Sequence, residues 1–303
     1  VNRMPSKDRM NIGLIPSKSR YELECERLVS QQAVREFFRS EEVFEKIYQS
    51  HARQKENLHT LREIIGTSHM HDRSTLTHVM DQYDILVICG GDNHFTYCAQ
   101  QVMALDRDTY VAGLVLDDKH SAGALLSFDT SSFLESLGRL EQGVFNHEGW
   151  TTLEGRLDDG TRLTPAIGDY LVAEHARQYM SRNHVWIDGD EALPEKSSGI
   201  LIATGAGSQP GSWYSNVHAV YNTDDGSFPL TGRKAMLIAT EHPGKPMAKL
   251  RPGQEAIIDS YNDAYGMIIP DSHGDHGTYF PMGKRAYIQI SDSVLNVVRG
   301  DWS

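Results

Sequence analysis

The stretch that most constrains the fold runs from Tyr83 to Phe95: Tyr-Asp-Ile-Leu-Val-Ile-Cys-Gly-Gly-Asp-Asn-His-Phe. An unbroken apolar run, Ile85 to Cys89, passes straight into Gly90-Gly91-Asp92 and then into a helical pattern. Such a run reads as a strand buried on both faces, and the helix after it as a crossover to a parallel neighbour. Open sheets of this kind bind ligands outside the carboxyl ends of their strands, where glycines let the backbone approach a phosphate and a helix start offers unpaired N–H groups. Asp92 would then place a carboxylate at that edge. The same turn also serves simply to end a buried strand, since glycine is the usual residue wherever positive φ is needed.

A second Gly-rich turn strengthens the ligand reading. Ser197 to Ser208, Ser-Ser-Gly-Ile-Leu-Ile-Ala-Thr-Gly-Ala-Gly-Ser, again follows a β-branched apolar run. Around these turns the texture changes along the chain. Met10 to Pro16 reads as a first strand, and Tyr21 to Ile65 carries apolar residues at helical spacing. Ile85 to Cys89 and Val111 to Val115 read as buried strands around a helix over Thr96 to Leu105, and Ser131 to Glu141 as a last helix. Beyond Gly143, runs such as Trp150–Leu157, Ala235–Ala239, Glu255–Asp259, Gly266–Ile269 and Ala286–Ile290 read as antiparallel strands bounded by Gly, Asp or Pro. The expectation is an α/β N-terminal domain with a parallel sheet over residues 1–142. An all-β antiparallel C-terminal domain follows over residues 143–290.

These motifs, in this order, resemble the NAD kinase family, within the superfamily that includes the diacylglycerol and sphingosine kinases, and most nearly its mitochondrial-type branch. Ser19-Arg20-Tyr21-Glu22 is similar to that branch's Thr-Arg-Tyr-Glu signature, Tyr48 to Asn57 to its His-rich helix, and Gly90-Gly91-Asp92 to its Gly-Gly-Asp-Gly-Thr turn. Gly113 to Gly123 resembles its Gly-Val-Asn-Thr-Asp segment and Ser197 to Ser208 its Thr-Gly-Thr-Gly-Ser loop. The resemblance implies the two-domain plan, with residues 291–303 returning to the first domain as a terminal strand near Val294 to Val298. It also implies an ATP- and Mg2+-dependent phosphotransferase acting on NAD or a related hydroxyl-bearing, nucleotide-like substrate, and a homodimer. Asp92 would be catalytic. Gly90, Gly91, Asn93, His94, Phe95, Asp117, Ser121, Gly168, Asp169, Thr204, Gly205, Gly207 and Ser208 would bind substrate and cofactor.

The departures from the family pattern fall on ligand-contacting positions. Asn93 and His94 stand where the family has Gly and Thr, Val115 where it has Asn, and Gly168-Asp169 where it has an Asn-Glu pair. A side chain at Asn93 carries a steric cost if positive φ is needed there. A site missing several hydrogen-bond partners loses discrimination for the ligand that used them. Three readings therefore stand together: a divergent NAD kinase, a kinase for a different small substrate, and a non-catalytic nucleotide or dinucleotide binder. Asp92 and Asp169, read as two retained charges, favour the kinases.

Fourteen histidines prompt one further reading. His94 beside Asp92 could be a base, a phosphate contact or a metal ligand, since neutral imidazole serves each role. A metal-dependent hydrolase would need His94, His120 and the Asp271–His276 loop to converge. No Cys-x-x-Cys or His-Glu-x-x-His accompanies them, so the loop reads as a solvated turn and no metal ligands are assigned.

Composition bounds the rest. With 303 residues, 39% hydrophobic and 23% charged, the chain fits one large or two ordinary globular domains. A net charge of −12 without a basic block argues against nucleic acid as a partner. No apolar run approaches a membrane span and the first residues hold no signal-peptide core, so a cytoplasmic or organellar location is expected. Three cysteines, Cys25, Cys89 and Cys98, read as free thiols.

Overall fold

The computed structural model describes residues 9–104, 109–119, 123–176, 179–193, 196–214, 227–240, 247–263 and 265–300. The chain forms two compact units: residues 1–98, 109–147 and 298–303 make the first, and 99–108 with 148–297 the second.

In the first unit β1 (Ile12–Pro16) is followed by α1 (Arg20–Leu28), α2 (Gln31–Phe38), α3 (Glu41–Ile65) and the short α4 (Leu76–Val79). Then come β2 (Ile85–Gly90), α5 (Asp92–Ala104, its residues from Ala99 on counted with the second unit), β3 (Tyr110–Val115), β4 (Phe128–Asp129) and α6 (Thr130–Glu141). The first four strands are parallel in the order β1-β2-β3-β4. β2 and β3 are buried along nearly their whole length, the expected consequence of helices on both faces. Ser19 starts α1 with a reciprocal cap: its hydroxyl accepts from the Glu22 N–H while the Glu22 carboxylate accepts from the Ser19 N–H. The core gathers Leu14, Val87 and Leu114 from the sheet with Leu61 and Phe133 from the helices.

The second unit is antiparallel. Its strands are β5 (Asn146–Leu157), β6 (Asp169–Glu174), β7 (Ser181–Ile187), β8 (Asp190–Leu193), β9 (Lys196–Ser197) and β10 (Gly199–Ala203). β11 (Ala235–Thr240), β12 (Met247–Leu250), β13 (Glu255–Ser260), β14 (Gly266–Pro270), β15 (Thr278–Tyr279) and β16 (Arg285–Arg299) complete it. One sheet runs β12-β11-β10-β6-β14-β15; facing it, β16 pairs β13, then β7 and β8, with β5 on β16. Residues of both sheets, Val172, Ile202 and Leu237 with Val185, Ile258 and Ile288, share one hydrophobic cluster, so this unit is a sandwich. On its outer face the first sheet is covered again by Tyr214 and Phe228 over Leu171, Leu201 and Met236. Burial on both faces explains why β6, β10 and β11 are buried at every residue while β13 alternates.

An α/β first part with a parallel sheet and an antiparallel β second part match the fold expected from the sequence. Two elements differ. The helix after β2 begins at Asp92 itself rather than near Thr96. Residues 286–290 and 294–298, read as separate strands, form one strand, β16. Between these two segments Ser291 is buried and its hydroxyl donates to Glu154, which keeps the strand continuous. Among the described residues no helix is long and apolar enough to cross a membrane.

Candidate functional site

In the first unit the Gly-Gly-Asp turn closes the carboxyl end of β2. The Ser17 N–H donates to the Cys89 carbonyl at 2.8 Å, which brings the segment after β1 over this turn. A Cβ on Gly90 would lie 2.6 Å from the Ser17 hydroxyl, so a side chain there would force Ser17 to move. Both carboxylate oxygens of Asp92 are held by backbone: Oδ2 accepts from Ala124 N at 3.1 Å and Oδ1 from Leu125 N at 3.0 Å. The carboxylate is thus fixed in orientation, and each oxygen keeps further lone-pair capacity.

A pocket of about 200 Å3 lies beside the turn, lined in part by Gly90, Gly91, Lys18, Ser50 and Asp117. Asp117 is buried, and its Oδ1 pairs with Arg53 Nε at 2.9 Å. Arg53 comes from α3, where Asn57 also donates to the Leu116 carbonyl. The helix thereby anchors the Leu116-Asp117 end of the loop after β3. Ser121 and His120, singled out in the sequence, lie outside the described residues.

Asn93 is exposed and its φ is not positive, so the steric cost expected from its side chain does not arise. His94 differs more from expectation. Considered from the sequence as a base, a phosphate contact or a metal ligand, it is buried with Nε2 donating to the Ile15 carbonyl at 3.0 Å. Burial lowers its pKa, so the ring is neutral, and its donor ties α5 to β1. Phe95 is fully buried in the core of this unit, and Val115 ends β3.

The second unit assembles its own cluster. Gly168 and Asp169 open β6, and Asp169 pairs with Ala203 of β10, just before the second Gly-rich turn. Thr204 N donates to the Gly168 carbonyl at 2.8 Å, and the Thr204 hydroxyl donates to the Ile167 carbonyl at 2.6 Å. A Cβ on Gly207 would lie 2.2 Å from the Gly168 carbonyl oxygen, an impossible distance, so the two segments touch backbone to backbone. All of residues 204–208 are buried, and the Ser208 hydroxyl donates to Gly205 O while accepting from Phe228 N. The hydroxyls expected to face phosphate or ribose instead satisfy the loop's own backbone, as buried polar groups must.

Sequence reasoning missed the residue that organises this cluster. Asp271, read as part of a solvated turn, is buried, as is His273. Asp271 Oδ1 accepts from Gly168 N at 2.6 Å and Asp169 N at 2.9 Å; Oδ2 accepts from Ile167 N at 2.9 Å and Gln100 Nε2 at 2.5 Å. The Gln100 amide oxygen in turn meets His276 Nδ1 at 2.6 Å. A positive φ at Asp271 and Ser272 had no counterpart in the sequence pattern, and the donors are about a hundred or more residues away in the chain.

Burial pushes both Asp169 and Asp271 up, but they differ in their partners. Asp271's N–H donors pull back toward the ionised form, whereas Asp169 Oδ1 is buried without a hydrogen-bond partner. Asp169 therefore holds the proton: burial, then the neighbouring Asp271 charge, pushes it up to about 8. The sequence reading of Asp169 as a retained charge is corrected accordingly.

This protonation sets a pH dependence. Below about pH 4 a carboxyl in the unfolded chain is protonated too. From there to about 8 only the folded chain keeps the proton, so stability falls as pH rises through this window and levels off above it. Asp169→Asn removes this contribution. The parent-minus-variant slope of unfolding free energy is expected to approach about −1.4 kcal/mol per pH unit between pH 5 and 7. Urea denaturation at stepped pH measures it, and parallel curves would show that Asp169 does not carry the buried proton.

No protein-family model matches the chain. It is 26% identical over 137 residues to an NAD kinase of Salmonella typhimurium, covering 44% of this chain and 45% of that protein. An NAD kinase of Photorhabdus laumondii matches at 26% over 136 residues, with the same coverage. The matched segment thus spans just under half the length of these relatives. Among solved structures, an NAD kinase from Archaeoglobus fulgidus in complex with ATP superposes with TM-score 0.63 and 13% identity, covering 96% of this chain and 94% of that one. Yeast NADH kinase complexed with NADH gives 0.57 and 15%, covering 76% and 65%.

Proposed function

We propose that the chain is a member of the NAD kinase family and an ATP-dependent phosphotransferase acting on a hydroxyl of NAD, NADH or a related nucleotide-like acceptor. The observation that carries the proposal is the Asp92 carboxylate, fixed by two backbone N–H groups at the carboxyl end of a parallel strand, beside a Gly-Gly turn. Phosphoryl transfer is chiefly a matter of positioning and charge stabilisation. In this reading the acceptor oxygen bonds to the terminal phosphorus of ATP, the bond to the bridging oxygen of the departing ADP breaks, and the hydroxyl proton passes to Asp92.

Gly90 and Gly91 let a phosphate approach their backbone, and Asn93, exposed beside them, offers an amide to the ligand. His94 and Phe95 hold the helix start in place from below. Gly168, Thr204, Gly205, Gly207 and Ser208 act as a packed frame whose function is to fix Asp169. Mg2+ would be held by substrate phosphates together with the hard carboxylate oxygens of Asp92 and Asp117, and would supply charge neutralisation on the phosphates. Assembly as a homodimer and a cytoplasmic location belong to the same proposal.

The test is incubation of the purified chain with γ-labelled ATP, Mg2+ and a panel of NAD, NADH and other hydroxyl-bearing acceptors. Label is expected on one of the dinucleotides. ATP and dinucleotide binding without transfer would instead support a non-catalytic binder on this scaffold.

A further inference from the structure

The second unit contains a cavity of about 730 Å3 among β5, the segment following it, and β16. Its lining includes Glu154, Arg156, Arg162, Tyr287 and Gln289, none of which takes part in the site above. Arg156 and Arg162 are partners across an antiparallel bridge. Like charges placed directly opposite one another are destabilising, so this arrangement needs compensation. Arg156 has it: Nη1 donates to Glu255 Oε1 at 3.0 Å, and the guanidinium stacks 4.2 Å from the centre of the Tyr287 ring. Arg162 has no ion pair among the described residues. Glu154 is held in place, with Oε1 accepting from Gln289 Nε2 at 2.6 Å and Oε2 from the Ser291 hydroxyl at 3.0 Å. Each of its oxygens keeps a lone pair for one more donor.

We propose that this cavity binds a phosphorylated polyol, a sugar phosphate or nucleoside monophosphate, with the phosphate on Arg162 and a ligand hydroxyl donating to Glu154. A guanidinium presents a planar fork that matches phosphate oxygens, and a phosphate with three of them is large enough to engage both arginines. The carboxylate supplies the acceptor that selects a hydroxylated ligand over a bare anion. The cavity volume lies within the range of small-molecule sites. The proposal is independent of the kinase reading, since no residue of the Asp92 turn contributes.

Calorimetric titration of the full chain with ribose 5-phosphate, AMP and inorganic phosphate tests it. Ribose 5-phosphate or AMP is expected to bind more tightly than inorganic phosphate. Arg162→Ala should weaken the organic phosphates at least about tenfold, as loss of a charge-assisted fork implies. Glu154→Gln should weaken them while leaving inorganic phosphate unchanged. Tighter binding of AMP assigns the nucleoside monophosphate, and binding of ribose 5-phosphate alone the sugar phosphate. Because Arg162 is exposed, the variant should melt with the parent; Arg162→Lys, retaining charge without the fork, gives an intermediate affinity and serves as the second variant. Absence of binding at millimolar ligand, binding indifferent to Arg162→Ala, or an equal effect of Glu154→Gln on inorganic phosphate would each overturn the proposal.

Discussion

Replacing Asp92 with asparagine is expected to reduce phosphoryl transfer by about two to four powers of ten, the usual cost of losing a general base. The substitution is nearly isosteric. Its amide oxygen can still accept from one of the two N–H groups at residues 124 and 125, while the amide nitrogen faces the other. One backbone donor loses its acceptor, at a cost of about 1–3 kcal/mol. The variant should therefore fold, with an unchanged far-UV spectrum and a slightly lower melting temperature, yet turn over poorly at saturating ATP. Turnover equal to the parent's would remove Asp92 from the chemistry and leave it as the strut that binds the 123–126 turn to α5. Loss of folding would show that the strut, rather than the base, is its larger role.

The largest stability effect is expected at Asp271. Alanine there leaves the N–H groups of Ile167, Gly168 and Asp169 and the Gln100 amide without their acceptor in a buried setting. At about 1–3 kcal/mol for each buried group left unpaired, the total is roughly 4 kcal/mol or more. That is a large share of the ~5–15 kcal/mol that holds a typical domain. The left-handed backbone at Asp271 adds to the loss, because Asp tolerates positive φ better than Ala does. Denaturant unfolding of Asp271→Ala should show a much lower midpoint or an unfolded second unit. Asp271→Asn, which retains one acceptor oxygen, should fall between variant and parent, and Gln100→Ala, which removes a single donor, should cost least. A shift below about 1 kcal/mol for Asp271→Ala would mean that water or rearranged backbone replaces the carboxylate, and the cluster would lose its structural importance.

These two aspartates differ in how they could be found. Asp92 is legible because everything that marks it is local: an apolar run, two glycines and a helical pattern within a dozen residues. Asp271 is not, because nothing near it announces a role. Its neighbours Ser272, His273 and Gly274 have the composition of an exposed turn, and only the return of β14 beside β6 brings its carboxylate to the amides of residues 167–169. The continuity of β16 was hidden for the same reason, since a buried serine bonded to Glu154 looks like a turn residue until its partner is known.

What the sequence by itself determined is the order and character of the elements: buried parallel strands first, antiparallel strands after, and a carboxylate placed at the end of β2. Periodicity and glycine placement act over a few residues, within the range that a linear reading covers. The tertiary structure alone decided which polar side chains are committed inward. His94 reaches the Ile15 carbonyl, Thr204 the Ile167 carbonyl, and Asp169 keeps a proton because Asp271 has taken the nearby N–H groups. Each depends on a partner distant in sequence and on exclusion of water, and the cost of burying an unpaired polar group then settles its orientation and charge.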